Sequence, residues 1–275
     1  MKKIAILNDI HCNYPVLDQV LKDLKIKNID HYIICGDFLT DGFDNEKIVN
    51  TIRTLPATVI AGNREISLNN DQHIWQNKDR WTSMVFAYNS LTSNSLEYLK
   101  TLPITKTIKV EGLSICISHG SPYNVRDLIY KDSKHFFNKI IKDFPADVYL
   151  FAHTHKKFYK KYKNKIFINS GALSLYSGLS KSVYGILTID NKNVSYESIN
   201  YQYNFESIKD YYLSSDYYKF SPEWCNLILH TLKDGTDYGF DFIKYLTKTT
   251  TDEDCDFLWH QRFIEYMAQN NLEIF

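Results

Sequence analysis

Over its first two hundred residues the chain sets short apolar runs against polar, glycine-containing stretches, and the runs are strand-sized. Ile4-Ala5-Ile6-Leu7, within residues 3–8, predicts a buried strand. Tyr14-Pro15 opens a helix. Val16, Leu17, Val20, Leu21 and Leu24 recur at helical spacing, and a proline in the first turn costs nothing because its missing N–H has no partner there. Tyr32–Cys35 predicts a second strand, residues 44–54 a helix, and Thr58–Ala61 a third strand. Three strand–loop–helix units in succession predict parallel strands. Residues 71–101 read as helical, with Trp75, Trp81, Val85, Phe86 and Leu91 as apolar contacts. Residues 104–110 and 113–118 flank Glu111-Gly112 as a hairpin. A helix follows at 134–143 and a buried strand at 147–151. Two short strands then surround Lys163-Asn164, and a last hairpin pairs 183–190 with 193–199.

After about residue 203 the pattern turns helical. Ser221-Pro222 is a helix start, Gly235 a stop, and Thr251-x-x-Asp254 resembles a capping box. Beyond it Cys255, Leu258, Trp259, Phe263, Tyr266 and Met267 share one stripe. The chain therefore divides into residues 1–202 and a helical extension, 203–275. The extension's aromatic stripe allows three uses: packing on the core, forming a homodimer, or roofing a site. Packing and dimerisation are favoured, because aromatic stripes usually serve packing.

Composition narrows the function. The 275 residues carry 32 Lys plus Arg and 32 Asp plus Glu, so no global basic field argues for nucleic-acid binding. Lys156, Lys157, Lys160, Lys161, Lys163 and Lys165 form a local basic run, read as the solvated face of a hairpin rather than a binding stripe. Five cysteines lack CxxC spacing, which excludes a disulfide framework or zinc ribbon. No run approaches a membrane span and no signal peptide precedes the first strand, so a soluble cytoplasmic protein is expected. There is no P-loop, dinucleotide fingerprint or nucleophile elbow.

What remains is a series of polar residues at strand ends, where ligands gather in parallel sheets. Asp9 and His11 follow the first strand, Asp37 the second and Asn63 the third. His119 follows a later strand, and His153 and His155 another. In an extended segment residues two apart share a face, so Asp9 and His11 can meet one ion if that geometry persists past Leu7. Seven nitrogen and oxygen ligands are too many for one catalytic ion with an open position and suit two. The donor set fits Mn or Fe, with Zn or Ni behind them, and lacks thiolate.

The blocks Asp9-x-His11, Gly36-Asp37, Gly62-Asn63-Arg64-Glu65, His119-Gly120 and His153-x-His155 resemble, in this order, the calcineurin-like metallophosphoesterase superfamily and its small bacterial phosphodiesterase branch. The resemblance covers residues 1 to about 200. It implies a four-layer α/β/β/α sandwich, here with an α-helical C-terminal extension. It implies that Asp9, His11 and His155 hold one ion, Asn63, His119 and His153 a second, and that Asp37 bridges them. A hydroxide between the ions would be the nucleophile, with Asp37, Asn63 and Arg64 as catalytic residues and Asn13 and Arg64 on the substrate. The expected activity is hydrolysis of phosphodiester or phosphoanhydride bonds in a phosphorylated small molecule, a nucleotide above all. A phosphomonoesterase or protein phosphatase is the enzymatic alternative, and a non-catalytic scaffold the other.

Three positions depart from the family pattern. Cys12 stands where glycine is common, read as tight packing ahead of an oxidation-sensitive thiol. Ala152 replaces a glycine. Arg64 stands where phosphomonoesterases carry a histidine as acid; arginine does not release its proton near neutral pH but grips phosphate oxygens in pairs, so a diester or anhydride is favoured. The plainer readings are Arg64 paired with Glu65 or another acid, Asn13 bonding its own backbone, and Glu65 orienting a ligand histidine or starting a helix.

Overall fold

The computed structural model describes residues 1–70, 81–175, 182–251 and 255–275. Trp75, the Asp254 end of the capping box and the Cys255 side chain lie outside the described parts. Two five-stranded sheets face each other. The first has the order β10-β9-β1-β2-β3, built from β1 (Lys2–Leu7), β2 (His31–Ile34), β3 (Ala57–Val59), β9 (Ser182–Asp190) and β10 (Asn193–Tyr201). The second has the order β4-β5-β6-β8-β7, from β4 (Thr105–Val110), β5 (Leu113–Ser118), β6 (Val148–Phe151), β7 (Phe158–Tyr162) and β8 (Lys165–Asn169). Strands β1, β2 and β3 run parallel, as do β5, β6 and β8, and the hairpin partners are antiparallel.

Alternation along each strand assigns the layers. Ile4 and Ile6, Ile33 and Cys35 point between the sheets and meet Ile115, Ile117, Val148 and Leu150 there. The intervening Ala5, Leu7, Tyr32 and Ile34 face helices α1 (Tyr14–Ile26) and α2 (Asn45–Thr54). Across the second sheet, Cys116, Tyr149, Phe151 and Phe167 cover Phe137 and Ile140 of α6 (Lys134–Asp143). These are the four expected layers, helix, sheet, sheet and helix.

Between β3 and β4, α3 (Asn63–Asn70) precedes the expected 71–101 helix, and the described part of that helix is two helices, α4 (Thr82–Ser90) and α5 (Ser93–Lys100), residues 71–80 lying outside the described parts. The break at Leu91-Thr92 has a physical cause: Thr92 is extended and its hydroxyl accepts from the Ser95 N–H at 3.2 Å, starting a new helix. The apolar spacing runs through this break, which is why it reads as one helix.

Helices α7 (Phe205–Leu213), α8 (Asp216–Phe220) and α9 (Pro222–Asp234) pack on the face that carries α1 and α2. Ile208, Tyr212, Tyr217, Cys225, Ile228 and Leu229 share one buried cluster with Leu7, Val16 and Ile48. Helices α10 (Tyr238–Thr249) and α11 (Cys255–Gln269) form a second cluster with α9, centred on Phe242, Trp259, Phe263 and Tyr266. Pro222 lies in the first turn of α9, and Gly235 ends that helix at φ 82°. Ser221 precedes α9 but its hydroxyl makes no capping bond. No described helix is long and apolar enough to cross a membrane.

Candidate metal centre

The predicted ligands cluster where β1, β2, β3, β5 and β6 end. Strand β1 stops at Leu7, and the chain then leaves the extended form: Asp9, His11 and Cys12 have φ of 48°, 43° and 53°. Asp9 and His11 therefore do not share a face through strand pleating, as the extended reading requires. Two left-handed residues, each tied to the neighbouring loop, bring them together instead. The Asp9 N–H donates to the Gly36 carbonyl at 3.3 Å and the His11 N–H to the Asp37 carbonyl at 3.1 Å. Asp37, His153 and His155 are also left-handed. Such backbones are strained for residues with a Cβ and persist only where surrounding contacts hold them. Gly36 and Gly62 make the approach of β2 and β3 possible. A Cβ on Gly36 would lie 2.3 Å from the Gly62 nitrogen, and one on Gly62 would lie 2.2 Å from Asp37 Oδ1.

Asp9, His11 and His155 form one group with a ligand atom each within 4.8 Å of the others, and Asp37, His119 and His153 form a second. His119 connects them, its Nε2 lying 3.4 Å from Asp37 Oδ2 and 4.0 Å from Asp9 Oδ1. Asn63 Oδ1 is 3.1 Å from the same nitrogen, so all seven predicted ligand positions lie in or beside the two groups.

Whether these residues fit metal ions follows from their hydrogen bonds. His11 donates Nδ1–H to Asp41 Oδ2 at 3.0 Å, His155 to the Leu175 carbonyl at 2.8 Å, and His119 to the Cys35 carbonyl at 2.7 Å. These acceptors fix the tautomer and turn each Nε2 lone pair inward. His11 Nε2 and His155 Nε2 face each other at 3.2 Å, an arrangement that requires a proton or a metal ion between them. Both carboxylate oxygens of Asp9 are buried without a hydrogen-bond donor. Asp9, Asp37, Asp41 and Glu65 bury four carboxyl groups here, and the Arg64 guanidinium lies beside two of them, Asp37 and Asp41. Buried anions in such excess over that guanidinium are costly, and two divalent ions would neutralise them. The residues fit a two-metal site.

The electrostatics agree. Burial disfavours a charged His119, but Asp37 and Asp9 outweigh it and raise its pKa to about 9. His155 is raised to about 9 in the same way, with Asp9 overcoming burial. A proton and a metal ion compete for the same negative potential at these nitrogens. His153 is lowered to about 4 by burial and by His119, which leaves its ring neutral with a nitrogen lone pair open to an ion.

Three neighbours of the ligands are held by the surrounding fold. Asn13 is fully buried. Its Oδ1 accepts from the Val16 N–H as the cap of α1 and its Nδ2 donates to Ser174 at 3.3 Å, so its carboxamide is engaged within the fold. Cys12 is 1% exposed, and burial pushes its thiol pKa well above the usual value; it is packing, with Gly42 against it. Glu65 touches no ligand histidine. It accepts from the N–H groups of Gly62 and Asp37 at 2.8 Å, Phe38 at 3.0 Å and Leu39 at 3.2 Å, clamping two loops together.

Arg64 stays at the site mouth. Its side chain is 26% exposed, Nε lies 4.0 Å from Asp37 and a terminal nitrogen 3.4 Å from Asp41. Burial works against its charge, but Asp41 and Asp37 outweigh it. Asp41 is the residue that motif reading passes over. It accepts from His11, from the Thr40 hydroxyl at 3.0 Å and from the Trp224 indole N–H at 2.9 Å. Its one sequence signal is an acid between Asp37 and Gly42, in a loop too irregular to orient by periodicity.

A model of the calcineurin-like phosphoesterase superfamily domain matches residues 1–192. The chain belongs to that superfamily. Among proteins of the same kind, an uncharacterized protein of Methanocaldococcus jannaschii is 24% identical over 242 residues, 80% of this chain and 94% of that one. The phosphoesterase fold is shared with a hypothetical protein of Pyrococcus horikoshii (TM-score 0.71, 19% identity) and a metallophosphoesterase of Sphaerobacter thermophilus (0.68, 20%). Each similarity covers 86% of this chain and 99% of the other, more residues than the first 202 supply. Part of the helical extension is therefore common to these two structures.

Proposed function

We propose that the chain is a dinuclear metal-dependent hydrolase of phosphodiester or phosphoanhydride bonds, with nucleotides as its substrate class. The observation that carries this reading is the pair of facing histidine–carboxylate groups joined through His119. Asp9, His11 and His155 would hold one ion, and Asn63, His119 and His153 the other, with Asp37 shared. The nitrogen and oxygen donors favour Mn or Fe, then Zn or Ni. When bound, the two ions supply Lewis-acid polarisation of the phosphoryl oxygens and lower the pKa of bound water.

The chain's own groups do the rest. Asp37 receives the Arg64 backbone N–H at 2.8 Å, so the first turn of α3 points its N–H groups at that carboxylate. Arg64, anchored by Asp41, has a partly exposed guanidinium able to hold a phosphoryl oxygen. It does not protonate a departing alkoxide. The bond favoured is then one whose leaving group departs without that help, an anhydride or a diester with an acidic leaving group, rather than an ester of a simple alcohol. Nucleotides contain both bond types.

With Mn2+, bis(p-nitrophenyl) phosphate should turn over about tenfold or more faster than p-nitrophenyl phosphate, and Arg64→Ala should raise KM for the diester about tenfold, as loss of one charged hydrogen bond does. Faster monoester turnover, or no effect of Arg64→Ala, would refute the diester assignment.

A further inference from the structure

Three hydrogen bonds cross from the helical extension to one loop of the metal centre. The Tyr211 hydroxyl donates to Asp44, the Tyr212 hydroxyl to the Asp41 carbonyl at 3.0 Å, and the Trp224 indole N–H to Asp41 Oδ1 at 2.9 Å. The loop is the one between β2 and α2, and it carries Asp37. Contact there is close: a Cβ on Gly42 would lie 3.1 Å from the Tyr212 hydroxyl.

Asp41 divides its two oxygens between tasks. Oδ2 takes the donors of the site: His11 at 3.0 Å, Thr40 at 3.0 Å and Arg64 at 3.4 Å. Oδ1 takes Trp224 from the extension. The carboxylate is 1% exposed, so bulk water does not replace a lost donor. Trp224 is itself aimed by packing. A Cβ on Gly239 of α10 would lie 3.2 Å from its ring, and the Trp259 ring of α11 is 6.5 Å away between centroids. Three helices of the extension thus fix one indole N–H on the carboxylate that orients a metal-ligand histidine.

We infer that Trp224 is a positioning residue of the metal centre, acting through Asp41 on His11 and Arg64. The inference rests on the two-metal reading of the site. Without the indole N–H, Asp41 turns to find another donor for Oδ1 and its other oxygen leaves His11. Removing a group that orients a metal-ligand histidine costs about 10–100-fold in metal affinity, and Trp224 acts one bond farther out, so a loss of about three- to tenfold is expected.

Calorimetric titration of metal-stripped protein with Mn2+ tests this. Trp224→Phe keeps an aromatic ring, though a smaller one, and removes the donor. It should weaken one of the two binding steps, leave the other unchanged, and leave the metal-free melting temperature within about 2 °C, or roughly 1 kcal/mol, of the original. Asp41→Asn, a second variant, should weaken the same step further. The double variant should match Asp41→Asn alone, since the two residues act in series. Unchanged binding in Trp224→Phe, equal weakening of both steps with a falling melting temperature, or additive effects in the double variant would each overturn the inference and leave the two-metal reading intact. An original protein that binds no ion would overturn both.

Discussion

Asp37→Ala is expected to lower diester hydrolysis by about a thousandfold or more while the chain still folds. Asp37 belongs to the second group and is proposed to serve both ions; it lies 3.4 Å from His119 Nε2 through one oxygen and accepts from the Arg64 N–H through the other. An ion stabilises transition-state charge by several kcal/mol, and each 1.36 kcal/mol is tenfold in rate, so losing a carboxylate that serves both ions, as proposed, removes roughly three powers of ten. Folding survives because the substitution takes one charge out of a buried cluster that also holds Asp9, Asp41 and Glu65. Steady-state kinetics beside a thermal melt separates the two effects. A folded variant retaining a tenth of the activity would show that Asp37 is not shared between ions.

Glu65→Gln is expected to cost about 3 kcal/mol of stability although it changes no volume, because a buried N–H left without an acceptor costs roughly 1–3 kcal/mol. One carboxylate oxygen accepts from Gly62 and Asp37 and the other from Phe38 and Leu39. Whichever way the new amide is turned, its NH2 faces two backbone N–H donors. Burial and the Asp37 charge push the Glu65 pKa up and the N–H donors hold it down. With every acceptor direction filled by a donor, the ionised form is the one the fold uses. At roughly 2–4 °C per kcal/mol for a large domain, the melting temperature should fall by about 6 °C or more. Activity should fall as well, since one donor is the backbone N–H of Asp37. A melting temperature unchanged to within a degree would contradict the clamp.

Much of the layered core can be read from the chain directly. Ile4 and Ile6 alternate with Ala5 and Leu7, and Val16, Leu17, Val20 and Leu24 make a helical stripe, because burial on each face imposes its own period. The strand-end polar blocks were visible because each closes an apolar run. Their geometry was not. Asp9 and His11 meet through left-handed backbone, which alternation cannot express, and the result depends on bonds to Gly36 and Asp37 nearly thirty residues on. Asn13 and Glu65 carry side chains able to bind ligands, yet Glu65 is taken up by backbone N–H groups and Asn13 is engaged by the Val16 N–H and the Ser174 hydroxyl, and only the folded loops decide that. The Trp224–Asp41 bond spans 183 residues and joins two segments of unlike pattern. No local signal marks it, since an indole at a helix start is ordinary core material until something polar lies beside its nitrogen.

The count of metal ions per chain tests the central claim most directly. Protein loaded with Mn2+ and freed of excess by dialysis should hold two equivalents by elemental analysis, and His119→Ala should hold fewer, because its Nε2 lies by both groups. Two ions in the original protein and a loss in that variant is the predicted result. A chain that retains no ion after loading with Mn2+, Fe2+, Zn2+ or Ni2+ would contradict the two-metal site.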